Sequence, residues 1–294
     1  MSHAPSSPRR RGSHWAPAFA GATVIVLLSL VLQGCSVTRV AYDNADTLLR
    51  WQANSYFDLH DEQSEELDAR LAAFLAWHRA RALPQYARIA GEGADRVQRG
   101  LKREDLEWGY DAVQSQVREA LGTAAAESAA LLDGLRPEQL SHLEQRLAEE
   151  NRKFAREQVQ GSMEERHKRR VKRNVERLEE WVGPLTDAQQ ERVRRYSEQA
   201  PFSAELRDRD RRRRQAEFLA MLRAREARRR LPAWARDWDG GREPAYVEAT
   251  RATRAAYFDL LLDLDRSLSP EQRERAAGRL RRYGRLFDSL SRAQ

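Results

Sequence analysis

Apolar residues recur along this chain at alternating spacings of three and four, the signature of helices that bury one face. Leu67, Leu71, Phe74, Leu75 and His78 make one such stripe. It predicts a helix that opens near Asp61 and ends at Leu83-Pro84, with Pro84 in the first turn of the next. Further stripes run from Leu106 through Val113, Val117 and Leu121 to Leu131, from Leu140 to Phe154, and from Val171 to Val182. Two more run from Tyr246 to Leu264 and from Leu280 to Leu290. No segment alternates at period two. The pattern predicts an all-α fold, an elongated multi-helix bundle with near coiled-coil packing.

Three helix starts share one chemistry. Leu135-Arg136-Pro137-Glu138-Gln139, Leu185-Thr186-Asp187-Ala188-Gln189 and Leu268-Ser269-Pro270-Glu271-Gln272 each read as a hydrophobic staple and cap ahead of a helix. Breaks are expected at Gly91 to Gly100, at Gly183-Pro184, at Ala200-Pro201 and at Asp239-Gly240-Gly241 before Pro244. The Arg/Asp run 207–214 reads as a solvated helix face. Trp234 and Trp238, one turn apart beside Pro232, are expected to pack a short helix onto the bundle, or else to touch a membrane interface or a glycan.

The N-terminus departs from this pattern. Arg9, Arg10 and Arg11 precede an uncharged apolar stretch from Ala16 to Leu32, too short to span a bilayer comfortably and of signal-peptide length. It ends in Leu32-Gln33-Gly34-Cys35, which looks like a lipobox: a small residue before the scissile bond, then a thiol to receive diacylglycerol. Cleavage after Gly34 would leave a mature chain beginning at a lipidated Cys35, with palmitate among its acyl chains. Each buried CH₂ of those chains would contribute about 0.8 kcal/mol of anchoring. The competing reading is an uncleaved anchor helix with an incidental cysteine. Ser36, where aspartate would retain a lipoprotein in the inner membrane of enteric bacteria, favours the outer membrane. The expected organisation is a signal peptide at 1–34, a lipidated N-terminus and tether at 35–56, and a helical domain at 57–294 with sub-boundaries near 183–184 and 239–244. Cys35 is the only cysteine, so no intramolecular disulfide can form.

Composition adds an uneven charge. The 294-residue chain carries a net +7, and removing residues 1–34 takes away three arginines and no acid, leaving +4. Residues 35–151 are net −8, whereas 152–230 are net +10. That basic middle offers a surface for phosphates or acidic partners. A bland explanation is an arginine-rich composition on solvated helices, since the chain has only four lysines.

Familiar catalytic chemistry does not emerge. His60, His78, His142 and His167 have no zinc-binding spacing, and His78, on an apolar stripe, reads as a structural residue. There is no phosphate-binding glycine loop and no nucleophile elbow. Acids such as Asp61 and Glu65 are ordinary first-turn residues. No enzyme, cofactor or metal is expected.

Three blocks carry a resemblance: Ala41-Tyr42-Asp43-Asn44-Ala45; Trp77-His78-Arg79 with Leu83-Pro84-Gln85-Tyr86; and Leu268 to Arg273 with Leu280-Arg281-Arg282-Tyr283. Together they resemble an uncharacterised family of Gram-negative lipoproteins, a domain of unknown function. This resemblance implies location and a helical fold, and brings no catalytic residues. Leu185 to Gln189 is also similar to the LTxxQ motif of small periplasmic helical chaperones, and Leu268 to Gln272 matches with serine for threonine. The expectation is a lipid-anchored protein on the periplasmic face of the outer membrane, with a non-enzymatic binding or scaffolding role. Its partners would be the membrane through lipidated Cys35 and an envelope protein, but no nucleic acid. Arg211, Arg212, Arg213 and Arg214 are the candidate interaction surface. The alternative is a chaperone-like or envelope-stress module.

Overall fold

The computed structural model describes residues 35–293. The signal peptide expected at residues 1–34 lies outside the described residues. The fold is all-α, an elongated helical bundle with no strand among the described residues. In order the helices are α1 (Cys35–Asp43), α2 (Ala45–Phe57), α3 (Asp61–Trp77), α4 (Leu83–Gln98), α5 (Arg103–Asp133) and α6 (Pro137–Phe154). They continue as α7 (Met163–Val182), α8 (Asp187–Gln199), α9 (Ala204–Arg223), α10 (Ala227–Arg236), α11 (Pro244–Asp265) and α12 (Pro270–Arg292).

The largest core joins α3, α5, α6, α9 and α10 through Phe74, Leu121, Leu143, Leu147, Phe218, Met221 and Leu231. A second gathers Leu178 of α7, Leu185, Val193 of α8, and Leu260 and Leu264 of α11. A third, Tyr42, Leu83, Leu286 and Leu290, closes α1 and α4 onto α12. Each fully buried leucine or phenylalanine contributes about 1.5–3 kcal/mol by leaving water. The closest crossings use small residues. Gly284 of α12 sits so near α4 that an added Cβ would lie 3.3 Å from the Ala87 carbonyl oxygen.

Two expectations are corrected. Pro84 does not end a helix: α3 runs into α4 through a π-helical turn at His78–Ala82, where the Leu83 N–H donates to the His78 carbonyl five residues back. Proline lacks an N–H and crowds the carbonyl four residues earlier, and the wider turn absorbs both defects. Gly91 and Gly93 lie inside α4, so the expected break narrows to Arg99–Lys102. Within the expected N-terminal tether at 35–56, α1 and α2 meet at Asn44, and Ala41, Tyr42, Ala45 and Leu49 are buried. Their apolar face meets the bundle, and burial outweighs the freedom of a linker. The other expected breaks, at Gly183-Pro184, Ala200-Pro201 and 239–241, fall between helices.

Candidate functional site

The basic middle of the chain folds around a cleft of about 180 Å³. One wall is α7. Its arginines at 166, 170, 173 and 177, spaced four, three and four, share a helix face, and Arg169 flanks them. Arg207 of α9 comes from the opposite side. Phe154, Tyr196, Phe202, Asn174 and Thr253 complete the walls, and Glu157 is the one carboxylate among the lining residues.

Several of these guanidinium groups are built in. Arg170 donates to the carbonyls of Ser197 (3.1 Å), Ala200 (2.5 Å) and Pro201 (3.2 Å), stitching α7 to the end of α8 and the link that follows. Phe202 packs beneath the guanidinium of Arg170 at 3.6 Å and that of Arg166 at 4.5 Å, with the His167 ring stacked at 4.9 Å. Such cation–π contacts hold arginines in place without consuming their N–H donors. Asn174 donates to the Ser197 hydroxyl at 2.9 Å, and Arg169 to the Gln160 carbonyl at 2.7 Å.

Electrostatically the cleft is underfilled. Arg166 is only 9% exposed; one of its nitrogens pairs with Glu205 at 2.7 Å. Its Nε and Nη2 are buried with no hydrogen-bond partner among the described residues. Burial pushes Arg173 below its ordinary guanidinium value, and Arg169 and Arg177 push it further. Burial likewise lowers Arg170; Tyr196 opposes this, and Arg173 and Arg166 reinforce it. Like charges gathered at a partly dry site with donors to spare favour an anion, a phosphate or a carboxylate, which would accept those N–H groups.

The arginines singled out in the sequence do not form one surface. Arg211 donates to Asn151 Oδ1 at 3.1 Å and covers Phe154; Arg213 binds Asp210 (2.8 Å) and Glu217 (2.5 Å). Arg214 lies 3.8 Å over Trp234 and donates to the Trp234 and Asp237 carbonyls. Arg212 alone is exposed, paired with Asp208 at 2.9 Å. The solvated face expected at 207–214 is thus corrected to a brace between helices, because buried Asn151 and Asp210 and half-buried Trp234 supply it with partners. Trp234 packs as expected, stacked on Phe218 with its N–H on Glu217 at 3.0 Å.

Cys35 is the first residue of α1. His78 is buried and accepts from or donates to Tyr42 Oη at 3.1 Å, as befits a structural histidine. His142 Nε2 contacts the Ser55 carbonyl at 3.2 Å, and His60 is the N-cap of α3. No group of three or more His, Cys, Asp or Glu able to hold a metal occurs among the described residues. The cleft arginines went unnamed at the sequence level, although their four-three-four spacing within 166–177 was a readable basic stripe.

A protein-family model described as "Family of unknown function (DUF6279)" matches residues 55–233. No curated protein and no solved structure matches the chain.

Proposed function

Since the chain belongs to this family of unknown function, its activity must be read from its own residues, and we propose a lipid-anchored, non-enzymatic binding protein that holds an anionic group in the arginine cleft. Acylated Cys35 would fix it to the membrane at the periplasmic face of the outer membrane, as the Leu32–Cys35 motif and Ser36 suggest. The cleft is the binding module. The observation that carries this reading is the imbalance at the cleft: six arginines line it with one glutamate, and two buried nitrogens of Arg166 have no partner. A phosphate or carboxylate would satisfy those donors bidentately, in the geometry a guanidinium suits best.

The test is thermal denaturation of the purified protein with inorganic phosphate against chloride at matched ionic strength. Phosphate should raise the melting temperature with the logarithm of its concentration once above its dissociation constant, and the double substitution Arg169→Gln, Arg173→Gln should remove the effect. An equal response in wild type and variant, or none in wild type, overturns the reading. The anchor is tested separately: Cys35→Ser should leave an unacylated precursor absent from outer-membrane fractions.

The LTxxQ-like segments give the chaperone alternative little support. Gln189 is 1% exposed and committed to bonds within the bundle, so the glutamine that defines the motif is used for packing.

A further inference from the structure

Among the described residues, half of the large hydrophobic side chains left exposed lie in one short stretch after Cys35: Val40 (63% exposed), Leu48 (37%) and Trp51 (68%). The remaining three, Val113, Met163 and Val247, are scattered over separate helices, as single exposed apolar residues commonly are. Within α2, Thr47, Leu48 and Trp51 fall on one side at 3.6 residues per turn, and Val40 stands one turn before Asn44, where α1 gives way to α2. This strip contains no charge, although 33% of the chain is Asp, Glu, Lys or Arg. The nearby charges, Arg39, Asp43, Asp46 and Arg50, all fall on the flank next to it, where Arg50 is held by Asp68 at 2.6 Å.

The rotation of this strip is fixed by what lies behind it. Ala41, Tyr42, Ala45 and Leu49 are buried against the bundle, and Tyr42 is bonded to His78. The two helices cannot roll to hide Val40 and Trp51 without tearing out that contact.

We propose that this strip is a membrane-contacting face: α1 and α2 lie along the lipid surface with Val40, Leu48 and Trp51 in the headgroup region. The inference rests on the reading of Cys35 as the acylated residue, which names the occupant. An anchor five residues before Val40 sets that residue about 8 Å along α1 from the membrane attachment, and Trp51 lies about 9 Å along α2 from its start at Ala45, at 1.5 Å rise per residue. Helices lying in the membrane plane keep the whole strip at headgroup depth. Tryptophan prefers that depth, where its ring is out of water and its N–H still meets polar groups. An uncharged strip enters without desolvating an ion, and Arg39 and Arg50 on the flank remain in reach of lipid phosphates. The bundle would then lie on the bilayer at a set tilt, with the arginine cleft held at a fixed height above it.

The experiment uses the full-length protein, expressed with its leader, extracted from membranes and reconstituted into phosphatidylethanolamine–phosphatidylglycerol vesicles, with and without brominated acyl chains. The difference between wild type and Trp51→Phe isolates the emission of Trp51. The expected result is a blue-shifted component quenched at least twofold by bromolipid and shielded from aqueous iodide. Emission at the water wavelength, quenched by iodide and indifferent to bromolipid, overturns the proposal. So does a Trp51 shielded from both quenchers in a sample that sediments as a dimer, which assigns the face to a second copy. Mass spectrometry of Cys35 in the same sample separates the two readings. Lipid on Cys35 with Trp51 in water sinks this inference alone; a bare Cys35 with Trp51 quenched by bromolipid sinks the anchor and supports the face.

Discussion

Gln189 and Gln272 exchange two hydrogen bonds: each side-chain amide donates to the other's carbonyl oxygen, at 2.9 and 3.0 Å. Each also stands at the third position of its helix and accepts the N–H of its own cap residue, Thr186 or Ser269, at 3.1 Å. The remaining amide protons reach across, from Gln189 to the Ser267 carbonyl and from Gln272 to the Pro184 carbonyl. Two helix starts are thus fastened to each other by a pair of capping side chains. The same joint recurs between α3 and α6. There Gln63 and Gln139 exchange bonds of 3.2 and 2.7 Å and accept the N–H groups of His60 and Arg136.

Breaking the joint should cost more than an ordinary cap. Gln189→Ala leaves the Thr186 N–H, the Ser267 carbonyl and Gln272 without their partners in a nearly dry site, so a loss of roughly 2–4 kcal/mol is expected. Gln189→Glu should be no better, because it sets a carboxylate against two oxygens that need donors. Urea denaturation checks both. A rescue by the isosteric glutamate would show that the amide protons do not matter.

The joints illustrate what the sequence could and could not disclose. The helix starts at Pro137, Asp187 and Pro270 were legible from Leu-x-x-x-Gln spacing, since capping is local chemistry. A fourth copy, Leu59 to Gln63, has the same form but no serine, threonine or proline to advertise it. The pairing of Gln63 with Gln139, 76 residues apart, was beyond reach because it depends on how helices meet. The candidate site divides in the same way. The net +10 of residues 152–230 marked the region, yet the run of four arginines drew attention and the stripe at 166–177 did not. A contiguous run of charge around a helix has no common face, whereas a four-three-four stripe does.

His78 makes stability depend on pH. Burial, and secondarily the charge of Arg79, pulls its pKa down to about 4, against about 6.5 in an unfolded chain. Between those values the unfolded state binds the extra proton, so stability is full above pH 6.5 and falls as the pH drops toward 4, by about 3 kcal/mol in all. Urea titrations at pH 7.5, 6.0 and 5.0 should show this slope in wild type and a flatter one in His78→Gln. Equal slopes would remove His78 as the cause.

The cleft should behave as a site that gives up stability to keep its charge. Arg173 has exposed surface, no acidic partner among the described residues and two neighbouring cations, Arg169 and Arg177. Arg173→Gln in chloride buffer should therefore leave stability within ~0.5 kcal/mol of wild type or raise it. A clear loss of stability, read by thermal melting without phosphate, would make Arg173 a structural strut.

Arginines 211–214 should respond one by one and not as a surface. Arg212→Glu loses one exposed pair with Asp208, which is within about 1 kcal/mol of nothing. Arg214→Glu is different in kind. It removes the cation from the Trp234 face and two donors from the carbonyls at 234 and 237, then places a carboxylate beside Glu217, which already accepts the Trp234 N–H. Arg211→Glu similarly strips the buried Asn151–Gln215 pair of its third partner and uncovers Phe154. Each of these two should cost roughly 2–4 kcal/mol and loosen α9 from its neighbours, seen as faster amide exchange at Phe218 to Leu222. Reversing all four arginines together should then lose helical signal on mild heating, before any binding can be scored. If the quadruple variant melts with wild type while Arg214→Glu alone is also silent, the brace between α9 and α10 does not exist in solution.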